Sequence, residues 1–107
     1  ARSNAIQTAT KNAIEIPMQV AEIAHNALEV AEAMAQLGNP NSITDAGVGA
    51  MCLRTAVLGA ILNARVNTVD LNDDVFVSST LDRCSELVSS TKSREEAILA
   101  RVDELLG

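Results

Sequence analysis

The chain has 107 residues, the length of one small domain. Hydrophobic residues make up 48% of it, but aromatic residues only 1%, and Phe76 is the one aromatic side chain. The formal net charge of −6 and the lack of a basic stripe argue against nucleic acid and against an anionic membrane surface as partners. The two cysteines and the lone histidine show no zinc-ligand spacing, so we expect no metal.

The composition favours helices over strands. Ala, Val, Leu, Ile and Met must form the core, and the clusters of β-branched and aromatic residues that are typical of strands are missing. We predict an all-α fold in which long antiparallel helices form an up-and-down bundle. Residues 1–107 form a single helical module without internal repeats.

The first helix is predicted from apolar residues at alternating steps of three and four, which form a packing seam. The seam consists of Ile6, Ala9, Ala13, Ile16, Val20, Ile23, Ala27, Val30, Met34 and Leu37. Pro17 lies inside this pattern, but the phase continues across it, which favours a kinked continuous helix over a break with a restart at Pro17. Gly38 is expected to end the helix.

The second helix is predicted to begin at Ser42, with Asp45 completing a capping pair. Residues 43–66 are apolar nearly all round, which is typical of a helix buried on every side. Small residues such as Gly47, Gly49 and Gly59 would let neighbouring backbones approach closely. Two companion helices cover only two flanks, so we expect a larger, dimeric helical assembly, completed by a second copy or by sequence outside this chain.

The third helix is predicted to follow a connection at residues 67–71, with Asn72, Asp73 and Asp74 supplying acceptors and negative charge at its start. Its seam is weakest at residues 89–93, where the sequence is polar and Thr91 occupies a seam position. That stretch is expected to face water, to bend, or to meet a polar patch elsewhere. The seam consists of Val77, Leu81, Cys84, Val88, Ile98, Val102 and Leu105.

Five polar residues lie in or beside the most apolar helix: Asp45, Arg54, Asn63, Arg65 and Asn67. A buried polar group without a partner costs about 1–3 kcal/mol, so each needs a reason to be there. Helix capping explains Asp45 best, and ion pairs or outward-reaching side chains explain the two arginines. For the two asparagines, a structural role and a ligand-binding role are equally favoured.

Three ordered blocks resemble the family of formiminotetrahydrofolate cyclodeaminases, which shares its module with serine-cycle methenyltetrahydrofolate cyclohydrolases. The blocks are residues 9–17 (ATKNAIEIP), 38–45 (GNPNSITD) and 63–67 (NARVN). Their spacing also agrees with the family, and an acidic-aromatic step follows at residues 73–76 (DDVF). Each block alone is a weak signal, whereas the ordered set is fairly specific.

The resemblance implies an all-helical fold that pairs into dimers, with a site for a tetrahydrofolate derivative where subunits meet. This chain resembles the C-terminal portion of the family's domain, and it opens at Ala1 within a helical pattern, so we expect an N-terminal portion outside it. The acidic residue that transfers protons in the family is expected in that portion, and no catalytic residue is assigned here. Asp45, Asn63 and Asn67 are our candidates for lining or supporting the folate site.

The expected function is therefore cyclodeamination of 5-formiminotetrahydrofolate to 5,10-methenyltetrahydrofolate, or hydrolysis of 5,10-methenyltetrahydrofolate to 10-formyltetrahydrofolate. The setting is expected to be cytoplasmic, and this chain alone is expected to be inactive. The alternative is a non-catalytic helical module that mediates association between subunits.

Overall fold

The computed structural model describes residues 2–107 and consists of three helices. They are α1 (Arg2–Leu37), α2 (Ile43–Thr68) and α3 (Asp74–Leu106), and no strand occurs in the described part of the chain. Ile14 packs with Ala64 at one end of the bundle, and Leu28 packs with Ala50 and Ile98 towards the other. The helices therefore run up, down and up, which confirms the predicted all-α fold. The bundle measures 61 × 19 × 16 Å.

The helix ends follow the local sequence in all but two respects. α1 continues through Pro17, and Gly38 ends it with φ 65°, as predicted. Ser42 and Asp45 do not form the predicted capping pair, because Ser42 makes no side-chain capping bond to α2 and its hydroxyl instead donates to the Asn39 carbonyl at 3.4 Å. α2 also runs to Thr68, beyond the predicted start of the connection at residue 67.

The connection between α2 and α3 is held by hydrogen bonds from both sides. Asp73 caps α3 by accepting from the backbone N–H of Phe76 at 3.1 Å, as predicted for this acidic start. Gln7 on α1 reaches across to donate to the Asp70 carbonyl at 3.1 Å and to accept from the Asn72 N–H at 2.7 Å. One side chain of α1 thereby fixes the backbone of the connection.

Small residues form most of the interface between α1 and α2. Alanine contributes little apolar area per residue, but it allows two helix backbones to approach closely, so that each adds contact to its neighbour. Larger side chains, among them Ile14, Leu28 and Leu87, fill the space towards α3. The buried alanines are Ala21, Ala24, Ala31, Ala35, Ala46, Ala50, Ala60 and Ala64.

The face of α1 that packs against α2 and α3 is not the predicted seam. The buried stripe is offset from that seam by one residue, or about 100° around the helix, and contains Ile14, Ala21, Ala24, Leu28, Ala31 and Ala35. The predicted seam lies outside: Ile16 is 62% exposed and Ile23 69%. α1 has two adjacent apolar stripes, and the one rich in alanine packs inside because it permits the closer approach.

The outer face of α2 is also apolar and uncovered. Val48, Met51, Leu62 and Val66 are all exposed, while the inward side of the helix is buried. The expectation that two companions cover only two flanks of this helix is therefore confirmed. By length and composition α2 would also pass as a membrane span, a test that core helices of bundles pass as well.

The middle of α3 buries its polar seam residue. Thr91 is fully buried, and its hydroxyl has no hydrogen-bond partner within residues 2–107. Nearby Glu95 is largely covered and lies 3.6 Å from Arg54 of α2. Most of residues 89–93 face water, as one of the three expectations had it, since Ser89, Lys92 and Ser93 are exposed, whereas Thr91 is buried and Ser90 meets His25.

One ion-pair network joins α1 to α3. The Arg83 guanidinium donates to both carboxylate oxygens of Glu22 at 2.6 Å and to Glu86 at 2.9 Å. The hydrogen bond and charge of Arg83 lower the pKa of Glu22 below its usual value of 4.5, against the opposing effect of partial burial. All three side chains are at least one-third exposed, so solvent screens the pair and its contribution to stability is small.

Gly38→Ala and Gly49→Ala should change stability in opposite directions. Gly38 has a left-handed conformation, so an alanine there costs about 1 kcal/mol. Gly49 is helical and an added Cβ would meet no atom within 4 Å, so alanine should stabilise by about 1 kcal/mol. Urea denaturation of the two variants measures both effects, and shifts of the same sign would contradict the described backbone.

Thr91→Val should raise the free energy of unfolding by about 1 kcal/mol, because it removes a buried hydroxyl that has no partner while keeping the side-chain shape. The matched control is Thr55→Val, whose exposed hydroxyl donates to the Met51 carbonyl at 3.1 Å. In a denaturant titration the control should show no increase in the free energy of unfolding. A destabilised Thr91→Val protein would mean that this hydroxyl does have a partner.

Glu22→Gln should make stability less sensitive to acid. Because the folded-state pKa of Glu22 is lowered, its pair with Arg83 stabilises the fold above about pH 4.5 and is lost as the pH falls through the folded-state pKa. Denaturant titrations at pH 7 and below pH 4 should therefore differ less for the variant than for the parent. The control is Glu104→Gln, which removes a carboxylate that pairs with Arg101 near the C-terminal end of α3. It shows the effect of removing one negative charge elsewhere in the chain.

Candidate functional site

A groove about 580 Å³ in volume runs along the outside of the bundle between α1 and α2. This volume is in the range of small-molecule sites, which are mostly apolar with a few polar groups. Two of the three predicted site residues, Asn63 and Asn67, lie in it at the C-terminal end of α2. The other lining residues are Ala13, Ile16, Pro17, Val20, Ala56, Ala60 and Val66.

The groove combines apolar walls with amide and carbonyl groups. Asn67 Nδ2 donates to the Asn63 carbonyl oxygen at 3.2 Å, which orients the Asn67 side chain and leaves its Oδ1 available as an acceptor. The Asn63 side chain makes no hydrogen bond within residues 2–107 and offers both a donor and an acceptor. Pro17 has no N–H, so the Ala13 carbonyl, one turn earlier in the same groove, lacks its usual helical donor.

Such a set of groups suits a flat ligand with mixed donors and acceptors. The side chains of Ile16, Val20 and Val66 provide apolar surface for the faces of a ring, while the two asparagines can pair with its edge. None of the lining residues is acidic or basic. Within this chain, the groove can therefore bind and orient a ligand but contains no group that would transfer a proton.

Asp45 lies away from the groove. It is exposed in the first turn of α2, 18 residues before Asn63, which corresponds to about 27 Å along the helix axis. The structure thus brings Asn63 and Asn67 together and leaves Asp45 at the opposite end of the bundle. A single copy of the chain does not place all three candidates around one ligand.

Two other polar side chains, Arg54 and His25, have structural surroundings. Arg54 pairs with Glu95, in agreement with the ion-pair interpretation. His25 is half-buried between α1 and α3, where its Nε2 lies 2.7 Å from Ser90 Oγ, while its buried Nδ1 has no partner within residues 2–107. No cluster of three His, Cys, Asp or Glu residues that could hold a metal ion occurs among residues 2–107.

The walls of the groove were not predicted as site residues. Ile16 and Val20 belong to the stripe that was interpreted as a packing seam, and a stripe of this kind has the same periodicity whether it meets a helix or a ligand. The signal that distinguishes this part of α1 is Pro17. Pro17 and Ala13, whose carbonyl loses its helical donor, both line the groove and lie outside the packed core.

A family model described as Formiminotransferase-cyclodeaminase matches residues 1–86. The chain belongs to this family. It is 31% identical over 102 residues to a formimidoyltransferase-cyclodeaminase from Rattus norvegicus, covering 95% of this chain and 19% of the rat protein. It is also 31% identical over 102 residues to a methenyltetrahydrofolate cyclohydrolase from Methylorubrum extorquens, covering 95% of this chain and 49% of that protein.

A third relative, a formimidoyltransferase-cyclodeaminase from Dictyostelium discoideum, is 34% identical over 98 residues, covering 92% of this chain and 18% of that protein. The chain therefore spans about half the length of the bacterial relative and about a fifth of the length of the other two. The predicted resemblance to the cyclodeaminase family is confirmed over nearly the whole chain.

The blocks that carry the resemblance to the cyclodeaminase family occupy two places in the fold. Residues 9–17 and 63–67 face each other across the groove, with α1 contributing Ala13, Ile16 and Pro17, and α2 contributing Asn63 and Asn67. Residues 38–45 form the tight connection between α1 and α2 at the other end of the bundle. Two of the three blocks thus coincide with the groove.

Proposed function

We propose that this chain forms part of a folate-dependent one-carbon enzyme and that the groove between α1 and α2 binds the ring system of a reduced folate. Membership of the cyclodeaminase family supports this proposal, as do relatives that bear the names of a cyclodeaminase and a methenyltetrahydrofolate cyclohydrolase. The observation that carries it is that Asn63 and Asn67 lie together in one apolar groove whose other wall is formed by Ala13, Ile16, Pro17 and Val20 of α1. A cytoplasmic setting and a homodimer remain parts of the same proposal.

The proposed reaction is cyclodeamination of 5-formiminotetrahydrofolate, or hydrolysis of 5,10-methenyltetrahydrofolate on the same fold. In the first, N10 attacks the formimino carbon on N5, loses its proton, and the amino group takes up a proton and leaves as ammonia. In the second, water adds to the bridging carbon and loses both of its protons, one of which N5 takes up as its bond to that carbon breaks, which gives 10-formyltetrahydrofolate and one released proton. A carboxylic acid suits the proton transfers of both reactions.

The asparagines would act by binding and positioning. A reduced pterin presents N–H donors and a carbonyl acceptor along one edge, and carboxamides can pair with both kinds of group. Amides that are already oriented, as Asn67 is by its bond to the Asn63 carbonyl, also stabilise a developing charge without reorganisation. In this proposal the groove holds the ring while the one-carbon bridge faces the proton-transferring group.

That proton-transferring group has to come from outside the groove lining, which contains no acidic side chain. Since the chain spans about half of the bacterial relative, the remainder of such a protein is one source. A second copy of the chain is another, because an antiparallel partner on the outer face of α2 would bring its own Asp45 towards the Asn63 end. The exposed apolar residues of α2 provide the surface for either arrangement.

The test measures binding of a reduced folate to the intact enzyme that carries this chain. Asn63→Ala and Asn67→Ala should each weaken binding of 5-formyltetrahydrofolate about fivefold, the equivalent of one hydrogen bond of about 1 kcal/mol. Asn26→Ala, an exposed asparagine of α1 outside the groove, is the matched control. Asp45→Ala, measured alongside, tests whether Asp45 of a second copy reaches the ligand.

Unchanged folate affinity and turnover in all three variants would remove these residues from the site. The competing function, a non-catalytic association module, predicts an oligomer whose melting temperature does not rise when reduced folate is added. A ligand that binds only the folded state must raise that temperature. Comparing the turnover of 5-formiminotetrahydrofolate by the intact enzyme with its turnover of 5,10-methenyltetrahydrofolate then decides between the two reactions.

A further inference from the structure

The flank of α2 that faces α3 has two positively charged side chains nearby, Arg65 and Lys92, that form no ion pair among residues 2–107. Of the eight Lys and Arg residues, the following lie within ion-pair distance of carboxylates: Lys11, Arg54, Arg83, Arg94 and Arg101. The others are Arg2, near the start of α1, and Arg65 and Lys92. Arg65 and Lys92 come from different helices and line the same groove between α2 and α3.

This groove differs in character from the one that contains the asparagines. Its volume is about 630 Å³, and its lining combines the apolar residues Ile61, Leu81 and Val88 with the hydroxyl-bearing Ser85 and Ser89. None of its lining residues is acidic, although the chain has 14 Asp and Glu residues and a net charge of −6. A carboxylate-free surface with two cations is therefore a local exception to the charge of the molecule.

The groove continues into a second, mostly apolar trough of about 410 Å³, with which it shares Arg65 and Leu81 and whose lining also includes Thr68. Leu62, Val66 and Val69 form the other walls of this trough, and all three are exposed. The groove that contains Arg65 and Lys92 and the trough beside it thus meet at Arg65. Val66 also lines the asparagine groove, so its side chain separates the two flanks of α2.

Arg65 is exposed and lines the groove together with Cys84. The buried thiol of Cys84 lies in that groove, and its pKa is raised by burial, while the positive charge of Arg65 acts to lower it. The thiol is consequently protonated at neutral pH and does not neutralise the guanidinium. The Arg65 side chain therefore stays available to an anion from solution.

We propose that the groove between α2 and α3 is a binding site for a small molecule with an apolar body that ends in an oxyanion, such as an aromatic carboxylate. Arg65 and Lys92 would pair with the oxyanion from two sides, the hydroxyls of Ser85 and Ser89 would donate to it, and the trough at Leu62, Val66 and Val69 would take the apolar body. The argument for this site does not rest on the folate proposal, because neither Asn63 nor Asn67 lines the groove or the trough.

The probe is 2-naphthoate, titrated into the purified protein at low salt and followed by NMR shifts of the Ser85 and Ser89 amides. The double variant Arg65→Gln, Lys92→Gln should bind it roughly tenfold more weakly, the effect of two surface ion pairs of about 0.7 kcal/mol each. Added salt should weaken binding to the parent protein. Arg101→Gln, which also removes a positive charge but lies at the far end of α3, should bind like the parent.

Two further ligands and one variant make each outcome decisive. The neutral isostere 2-naphthamide should bind more weakly than 2-naphthoate, and inorganic phosphate, which lacks the apolar body, should also bind more weakly. The proposal would be overturned if 2-naphthamide bound as tightly as 2-naphthoate, or if Arg101→Gln lost as much affinity as the double variant. It would also be overturned if 2-naphthoate did not bind. Asn63→Ala should leave 2-naphthoate binding unchanged, so the outcome is separate from that of the folate test.

Discussion

The close approach of α1 and α2 through alanine determines most other features of the molecule. A helix interface made of small side chains brings backbones together, but it buries little area per residue, so α1 and α2 must be long to gain enough contact. The larger apolar side chains do not fit into this interface and lie elsewhere. Some of them, such as Ile14 and Leu28, fill the junction with α3, and others remain on the outside.

The exposed apolar residues are thus a consequence of the packing rather than an accident of composition. The exposed large apolar residues include Ile16, Ile23 and Val30 on α1 and Val48, Leu62 and Val66 on α2. Grooves form where such residues flank a gap between helices. Both grooves described above lie beside the exposed ridge of α2, one with uncharged amides and one with uncompensated cations.

Much of the fold could be predicted because the signals that begin and end a helix are local in the sequence. Gly38 at the end of α1, Asp73 at the start of α3 and the unbroken phase across Pro17 each depend on a few neighbouring residues. The face of α1 that packs against the other helices could not be predicted. α1 has two apolar stripes with the same period, and the period does not show which of them is buried. Only the space available at the partner helix decides that Ala21 and Ala24 pack inside while Val20 and Ile23 remain outside.

The candidate site shows the same division. Asn63 and Asn67 could be chosen because amides in an apolar helix need partners, and their spacing of one turn places them on one face. Asp45 could be chosen only as a polar residue beside the same helix, and its distance from the other two becomes apparent only from the length of α2. The apolar residues that line the groove could not be predicted as site residues. An apolar stripe has the same helical period whether it packs against a ligand or against another helix.

Val66 lines both the asparagine groove and the trough beside Arg65, so the two flanks of α2 share one side chain. If a ligand in one groove held Val66 in a different rotamer, the shape of the other groove would change as well. Binding on the two flanks of α2 would then be thermodynamically coupled through one isopropyl group. Reciprocity requires that each ligand change the affinity of the other by the same factor.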